Sequence, residues 1–196
     1  MFWQNLHEID QHITLFINSL HCGFTDPIML FFSQVRIWFP MYAIIAGIMF
    51  WRLGWKKAIP VVLSCVLCVV ICDQTANFFK EWVARLRPCQ DQEMIGMGLY
   101  MLETGGGLYG FFSGHASNAF GFAVCSSMGL RNDNRQKYRG YSAWIFFWAS
   151  MVSISRIFVG KHYFGDVITG IIAGTIAGLF CGWLARFVIR RFIKRA

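Results

Sequence analysis

The sequence predicts an all-α protein: a polytopic transmembrane helix bundle of five to six spans, built as a single domain over residues 1–196. Hydrophobic residues make up 56% of the chain and charged residues only 14%, whereas soluble domains carry about 25% charged residues. Mean hydropathy is +0.48, and several apolar runs approach the ~20 residues that a span needs. These observations exclude a soluble domain with a large core.

Five apolar runs predict transmembrane helices. Four are long enough to cross a bilayer, at residues 58–80, 111–130, 140–158 and 163–190, and a shorter fifth lies at residues 37–52. Consecutive spans cross the membrane in opposite directions, so the ends of these runs alternate between the two faces.

The N-terminal part, residues 1–35, contains two shorter apolar pieces. Residues 5–20 predict an amphipathic helix, because apolar side chains recur near helical spacing. These side chains are Leu6, Ile9, Ile13, Phe16, Ile17 and Leu20. The second piece covers residues 26–35. The two pieces either lie in the membrane interface or together make a broken sixth span.

Most basic residues lie in the connections at one end of the predicted spans. Short loops rich in Lys and Arg stay cytoplasmic, so the opposite end faces the periplasm of a bacterial inner membrane. The net charge of +8 therefore reflects topology, and no nucleic-acid partner is expected. Twelve of the 18 basic residues belong to this set: Arg52, Lys56, Lys57, Arg131, Arg135, Lys137, Arg139, Arg186, Arg190, Arg191, Lys194 and Arg195.

The seven cysteines show no spacing typical of a metal site. Five of them lie in apolar runs, where a thiol behaves as a small hydrophobic group. Cys22 and Cys89 lie outside these runs, and a disulfide between them remains an open alternative.

Polar motifs stand at the ends of four spans, all on the face opposite the basic loops. Lys80 ends the run 58–80, Ser113-Gly114-His115 open the next, Arg156 ends the following one, and His162 to Asp166 open the last. Segments that are far apart in sequence are thus predicted to meet at one end of the bundle. Two histidines, a carboxylate and cations at one place are what a metal-free phosphoryl-transfer site needs, and such chemistry built into a bilayer indicates a phosphorylated lipid as the substrate.

His162 and Asp166 are four residues apart at a helix start and so share one face. A carboxylate that accepts a hydrogen bond from one imidazole nitrogen fixes the tautomer and leaves the other nitrogen free as a nucleophile, and attack on phosphorus gives a phosphohistidine. His115 is placed to protonate the leaving group. The alternatives are a helix-dipole role for Asp166 and an interfacial, non-catalytic His115.

Cations near these groups predict a clamp for the phosphate. Arg offers a planar fork and Lys a point charge, and backbone N–H groups at a helix start hold anions. The predicted phosphate-binding residues are Lys80, Arg87, Ser113, Gly114 and Arg156. Basic side chains at span ends also reach toward the interface without binding substrate, and this interpretation is assigned to Arg85 and Lys161.

A polar stripe behind Lys80 is expected to contact the residues of the site without contacting the substrate itself. Asp73, Asn77 and Lys80 are spaced four and three apart within an apolar span, where a carboxylate is costly and usually faces the bundle interior. A purely structural network is the alternative.

Glycines repeat every four residues from Gly170 to Gly182, which predicts close helix packing within the chain or, alternatively, dimerisation.

The ordered motifs resemble the signature of the type 2 phosphatidic acid phosphatase superfamily, K-x6-R-P, P-S-G-H and S-R-x5-H-x3-D. The matching residues are Lys80, Arg87 and Pro88, then Ser113, Gly114 and His115, then Ser155, Arg156, His162 and Asp166. Phe112 stands where proline is usual, a departure that concerns loop geometry and not the chemistry. The resemblance covers residues 58–185. It implies a membrane phosphatase with His162 as nucleophile, His115 as acid, Ser155 in support, and no metal or cofactor.

The sequence therefore predicts a metal-independent lipid phosphatase acting at the periplasmic face. Undecaprenyl diphosphate or a phosphate of lipid A is the expected substrate, with phosphatidylglycerophosphate and phosphatidic acid left open. A lipid phosphotransferase using the same intermediate and a non-catalytic lipid-binding homologue are the alternatives. The oligomeric state is left open.

Overall fold

The computed structural model describes residues 2–103, 105–133 and 135–193, and of residues 2 and 3 only the backbone. Lys194 and Arg195, which belong to the predicted basic end, lie outside the described residues.

The described residues form eight α-helices and no β-strand; the one β-bridge, between Leu86 and Tyr109, is isolated. The predicted all-α class is confirmed, and a helix covers each predicted apolar run. The helices are α1 Phe2–Asn18, α2 Thr25–Ser33, α3 Phe39–Leu53, α4 Trp55–Val83, α5 Gln92–Gly96, α6 Gly114–Leu130, α7 Arg139–Phe158 and α8 Phe164–Val188.

Two of the described helical segments, Trp55–Val83 and Phe164–Ile193, are long and apolar enough to cross a membrane. A third span results if α2 and Val35–Leu53, which meet at a 72° bend, count as one. The break therefore lies between the second apolar piece, residues 26–35, and the run 37–52. It does not lie between residues 5–20 and 26–35, as one of the two alternatives from the sequence had it. The number of five to six spans stays a prediction.

Helix α1 buries a row of polar side chains against the protein and exposes several apolar side chains on its outer side. Gln11, Thr14 and Asn18 are buried, whereas apolar side chains of the same helix are 49% to 67% exposed. An outward apolar face of this kind is typical of a helix that lies in a membrane interface. The exposed apolar side chains are Leu6, Ile9 and Phe16.

The glycine stripe packs α8 directly against α6. A Cβ added at Gly170 would lie 2.5 Å from the carbonyl oxygen of Ser113, and one at Gly178 would lie 2.6 Å from that of Gly121. Such backbone contact requires glycine. The predicted intramolecular packing is confirmed, and the buried stripe is not a surface for dimerisation. The contact holds the starts of α6 and α8 side by side.

Two of the predicted basic connections meet at the end of the bundle away from the motifs. Arg52, at the end of α3, lies 3.1 Å from Asp133 in the loop that follows α6. Tyr138 donates to the same carboxylate at 2.6 Å. This ion pair joins the α3 and α6 ends, as alternating spans predict.

Candidate active site

The predicted motifs converge on one cavity of about 690 Å³. One part of its wall is polar and is formed by Lys80, Arg87, Gly114, His115 and His162. These residues come from the end of α4, the following loop, the start of α6 and the α7–α8 connection. The structure therefore brings together both predicted catalytic histidines and two of the predicted cations.

His162 lies in the tight connection between α7 and α8. Its backbone N–H donates to the carbonyl of Arg156 at 3.2 Å, and Gly160 makes the turn with φ +76°. The His162 side chain is buried, and its Nδ1 lies 3.6 Å from Oδ2 of Asp166. That nitrogen has no hydrogen-bond partner among the described residues. Catalytic hydrogen bonds are often long before substrate binds.

The surroundings of His162 favour its neutral form. Burial lowers the pKa of His162 to about 4, the charges of Arg156 and Arg87 act in the same direction, and Asp166 opposes them. The imidazole is therefore neutral at neutral pH, which is the form that attacks phosphorus.

Asp166 serves the helix and the site at once. Its Oδ2 accepts from the backbone N–H of Tyr163 at 3.1 Å, which caps α8. Its Oδ1 accepts from Nη1 of Arg85 at 2.8 Å. The carboxylate is fully buried. The structural and the functional interpretations of Asp166 are thus compatible, because one oxygen caps the helix while facing His162.

Ser113 and Gly114 start α6 in different ways. The Ser113 hydroxyl is buried and caps the helix, accepting from the N–H of Ala116 at 3.5 Å. Its backbone N–H donates to the carbonyl of Asp166 at 3.0 Å, which joins the starts of α6 and α8, and the contact of the hydroxyl with phosphate stays a prediction. Gly114 lines the cavity, and a Cβ there would lie 3.8 Å from Nζ of Lys80.

Phe112 occupies the position where the motif usually has proline. Its side chain is buried, and its ring lies 5.7 Å from the ring of Phe79 in α4. The aromatic contact anchors the segment that leads into α6.

The Arg156 guanidinium of α7 is buried close enough for its charge to act on His162, but Arg156 is not among the described residues that line the cavity. Its Nη1 donates to the hydroxyl of Ser33, at the end of α2, and lies 3.5 Å from Oε2 of Glu103. Its Nε has no hydrogen-bond partner within the described part of the chain. A buried, unpaired N–H of an arginine is suited to an anionic ligand.

Two cations that the sequence analysis assigned to the interface are in fact built into the protein. Arg85 binds Asp166 and also Asp10 of α1. Lys161 is only 3% exposed and donates to the carbonyl of Gly105. The snorkelling interpretation was wrong for both, because long-range partners, invisible in the local pattern, hold them.

The three residues predicted to support the site, Asp73, Asn77 and Ser155, differ in what they contact. Asn77 accepts from Nζ of Lys80 at 3.1 Å, and Asp73 lines the cavity, so the stripe leads to the site as predicted. Ser155 is buried, and its hydroxyl donates to the carbonyl of Val152 in its own helix at 2.7 Å.

Away from the histidines the cavity is lined by apolar side chains. Trp38, Tyr42 and Met49 come from the bent α2–α3 segment, and α4 and α6 contribute Val66 and Phe122. The wall therefore combines a cationic end with an apolar remainder. Such a cavity suits a ligand that has a phosphate at one end and hydrocarbon at the other.

Among residues 2–103, 105–133 and 135–193, no group of three or more His, Cys, Asp or Glu side chains is arranged to hold a metal ion. The cysteines are free thiols, including Cys22 and Cys89. The disulfide between these two, left open from the sequence, is not formed in this structure.

Sequence comparisons agree with the geometry. The family model described as the PAP2 superfamily matches residues 57–190. A lipid A 4'-phosphatase of Bacteroides thetaiotaomicron is 36% identical over 192 residues, covering 97% of this chain and 81% of that protein. A lipid A 4'-phosphatase of Porphyromonas gingivalis is 31% identical over 165 residues, covering 84% and 67%.

Two solved structures share the fold. A transmembrane PAP2-type phosphatidylglycerolphosphate phosphatase from Bacillus subtilis superposes with a TM-score of 0.74 at 19% identity, covering 96% of this chain and 89% of that one. LpxE from Aquifex aeolicus superposes with a TM-score of 0.61 at 22% identity, covering 87% and 92%.

Proposed function

The chain belongs to the PAP2 superfamily and is a membrane lipid phosphatase, and on this premise we propose that it hydrolyses a phosphate monoester of lipid A through a phosphohistidine formed on His162. The observation that carries the chemistry is the cavity in which His115 and His162 stand beside Lys80 and Arg87. The choice of lipid A is supported by the two relatives named above.

In the first step the neutral His162 attacks phosphorus through Nε2, and the bond between phosphorus and the lipid oxygen breaks. His115 gives its proton to that oxygen, which leaves as an alcohol. A bound phosphate dianion beside His115 favours its protonated form before the attack. Lys80, Arg87 and Arg156 balance the charge on the phosphoryl oxygens.

In the second step a water molecule attacks the phosphohistidine. His115, now neutral, accepts a proton from the water while the bond between phosphorus and nitrogen breaks. Inorganic phosphate leaves and His162 is neutral again. Asp166 faces Nδ1 of His162 at 3.6 Å throughout and stabilises the positive charge that develops on the ring.

A substrate panel tests this proposal. Purified protein in detergent is given a phosphorylated lipid A, undecaprenyl diphosphate, phosphatidylglycerophosphate and phosphatidic acid, each with and without EDTA, and free phosphate is measured. We expect the highest kcat/KM for lipid A and equal rates with EDTA, because cations of the cavity wall, such as Lys80 and Arg87, neutralise the phosphate.

A higher kcat/KM for undecaprenyl diphosphate would overturn the choice of lipid A while leaving the phosphatase activity standing. Loss of all activity with EDTA and its return with magnesium would overturn the metal-free mechanism. Consumption of substrate without free phosphate would indicate transfer to a second lipid. Arg87→Gln, which removes a cation of the cavity wall, should raise KM, whereas the matched control Arg36→Gln, at an exposed arginine outside the cavity, should leave KM unchanged.

The proposed orientation places the cavity mouth on the periplasmic side of the inner membrane. The support is the charge asymmetry: three basic connections lie at the other end, and basic loops stay cytoplasmic. A lipid of the outer leaflet would then enter laterally, with its phosphate level with the histidines and its tails along the apolar wall.

Single cysteines test the orientation in a variant whose native cysteines are replaced. Gln92 and Gln136 are both exposed, at opposite ends of the bundle. We expect Gln92→Cys to react with an impermeant thiol reagent in intact spheroplasts, and Gln136→Cys to react only after lysis. The reverse labelling pattern would overturn the periplasmic site.

A further inference from the structure

Arg85 joins two carboxylates that are far apart in sequence. Its Nη1 donates to Asp166 at 2.8 Å and its Nη2 to Asp10 at 2.7 Å. The guanidinium also lies 3.8 Å from the ring centroid of Tyr163. A planar guanidinium that is paired on two sides and stacked on a third has little freedom to move.

The contact matters because Asp166 is fully buried. A buried carboxylate is costly unless it is paired and hydrogen-bonded. Its two oxygens are used by Arg85 and by the backbone N–H of Tyr163. Arg85 therefore supplies the cation that lets Asp166 stay charged while it faces His162.

Helix α1 holds the other side of Arg85 and also caps the catalytic helix. Asp10 accepts from the backbone N–H of Gly165 at 2.7 Å, and the Thr14 hydroxyl accepts from that of Phe164 at 2.9 Å. These are N–H groups at the start of α8, which have no partner within that helix. One face of α1 thus fixes both Arg85 and the start of the helix that carries Asp166.

We propose that Arg85 is a positioning residue for catalysis, and that α1, through Asp10, holds it against Asp166 so that the carboxylate stays oriented toward His162. This inference rests on the roles proposed above for His162 and Asp166. Helix α1 thereby influences catalysis, although none of its side chains takes part in the reaction.

The apolar face of α1 places the contacts of Arg85 with Asp10 and Asp166 close to the membrane surface. The helix presents apolar side chains outward, Phe16 being the most exposed at 67%, and such a face binds at the boundary of headgroups and acyl chains. Helix α1 therefore lies between the membrane, on its apolar side, and Arg85 with the start of α8, on its polar side.

Arg85 acts without touching the substrate. Among the described residues that line the cavity, Arg87 is present and Arg85 is absent. Loss of a phosphate-binding cation should raise KM, whereas loss of a positioning cation should lower kcat with little change in KM. This difference separates Arg85 from Lys80 and Arg87, which line the cavity.

The test compares Arg85→Gln and Arg85→Lys with the wild type on one lipid substrate in detergent. For Arg85→Gln we expect kcat to fall roughly 10- to 100-fold, the usual range for a lost orienting partner, with KM little changed. Arg36→Gln, which removes an exposed arginine outside the cavity, should leave both constants unchanged.

The pH profile gives a readout that a merely structural role would not move. Without Arg85 the charge of Asp166 is less compensated and holds a proton on His162 more strongly. The acid limb of kcat/KM should therefore move upward by about one pH unit. Asp166 of α8, Arg156 of α7 and Arg87 of the loop after α4 act directly on His162, and His115 of α6 is close enough to interact with it. Lys80 of α4 lines the same cavity, and Lys161 precedes His162 in the chain. Arg85 acts through Asp166, and behind Arg85 lie Asp10 and His7 of α1.

Arg85→Lys keeps the charge but loses the fork, so it should restore the wild-type acid limb and only part of kcat. Asp10→Asn should lower kcat, and the double variant with Arg85→Gln should be no worse than Arg85→Gln alone. An unshifted acid limb with a raised KM in Arg85→Gln would overturn the positioning role. If His162→Ala and Asp166→Asn keep activity, the proposed function fails instead.

Discussion

Replacing His162 with alanine is expected to abolish phosphate release while the protein remains folded. The covalent route needs a nitrogen at this position, and the neighbouring cations cannot replace a nucleophile. We expect the rate to fall on the order of 10⁴-fold or more. His162 is buried and its Nδ1 has no hydrogen-bond partner among the described residues, so its removal breaks no hydrogen bond of that nitrogen.

The control is His12→Ala, because His12 is an exposed histidine of α1. Its activity should match the wild type, and the thermal stability of both variants in detergent should be close to that of the wild type. Rapid quenching of the wild type with labelled substrate should trap a phosphoryl group that is labile in acid and stable in alkali. The same label on the His162→Ala protein, or activity above one hundredth of the wild type, would remove His162 from the nucleophile role.

The helix positions were predictable because they depend on local composition. Apolar runs and the ends of spans follow from hydropathy, and α4 and α8 cover the runs 58–80 and 163–190 within a few residues. The bend between α2 and α3 was not predicted. Residue 34, where the backbone is extended between the two helices, carries a glutamine and no local signal of a break.

The histidines of the site were predictable because their spacing is local. His162 and Asp166 share a helix start, and alternating spans bring His115 to the same end. The hydroxyl of Ser113 shows the limit of such a motif: as an N-cap it is held by the helix that it starts. A hydroxyl at a helix start satisfies a capping and a binding pattern equally well.

The network around Arg85 was missed for a physical reason. Asp10 is 75 residues away, and a cation at a span end gives the same local pattern whether it is paired or solvated. Periodicity identifies the two faces of α1, but it does not tell which of them is buried. Only the tertiary structure shows that the polar face docks on α8 and the apolar face points outward.

His115→Ala is expected to slow hydrolysis by roughly 10²- to 10⁴-fold, the range for loss of a general acid. The loss should depend on the leaving group. A monoester of a sugar or glycerol leaves as an alkoxide and needs the proton, whereas a diphosphate or an aryl phosphate leaves as a more stable anion and needs it less. His115 lines the cavity beside Lys80 and His162, where it reaches the departing oxygen.

The measurement compares kcat/KM of the wild type and His115→Ala on a lipid monophosphate, a lipid diphosphate and an aryl phosphate in the same detergent. We expect the largest loss for the lipid monophosphate and the smallest for the aryl phosphate, with His21→Ala as the unaffected control. Because the water that attacks the phosphohistidine also loses its base, kcat should fall for all three substrates when that step limits turnover. Equal losses of kcat/KM for all three would remove His115 from the role of acid.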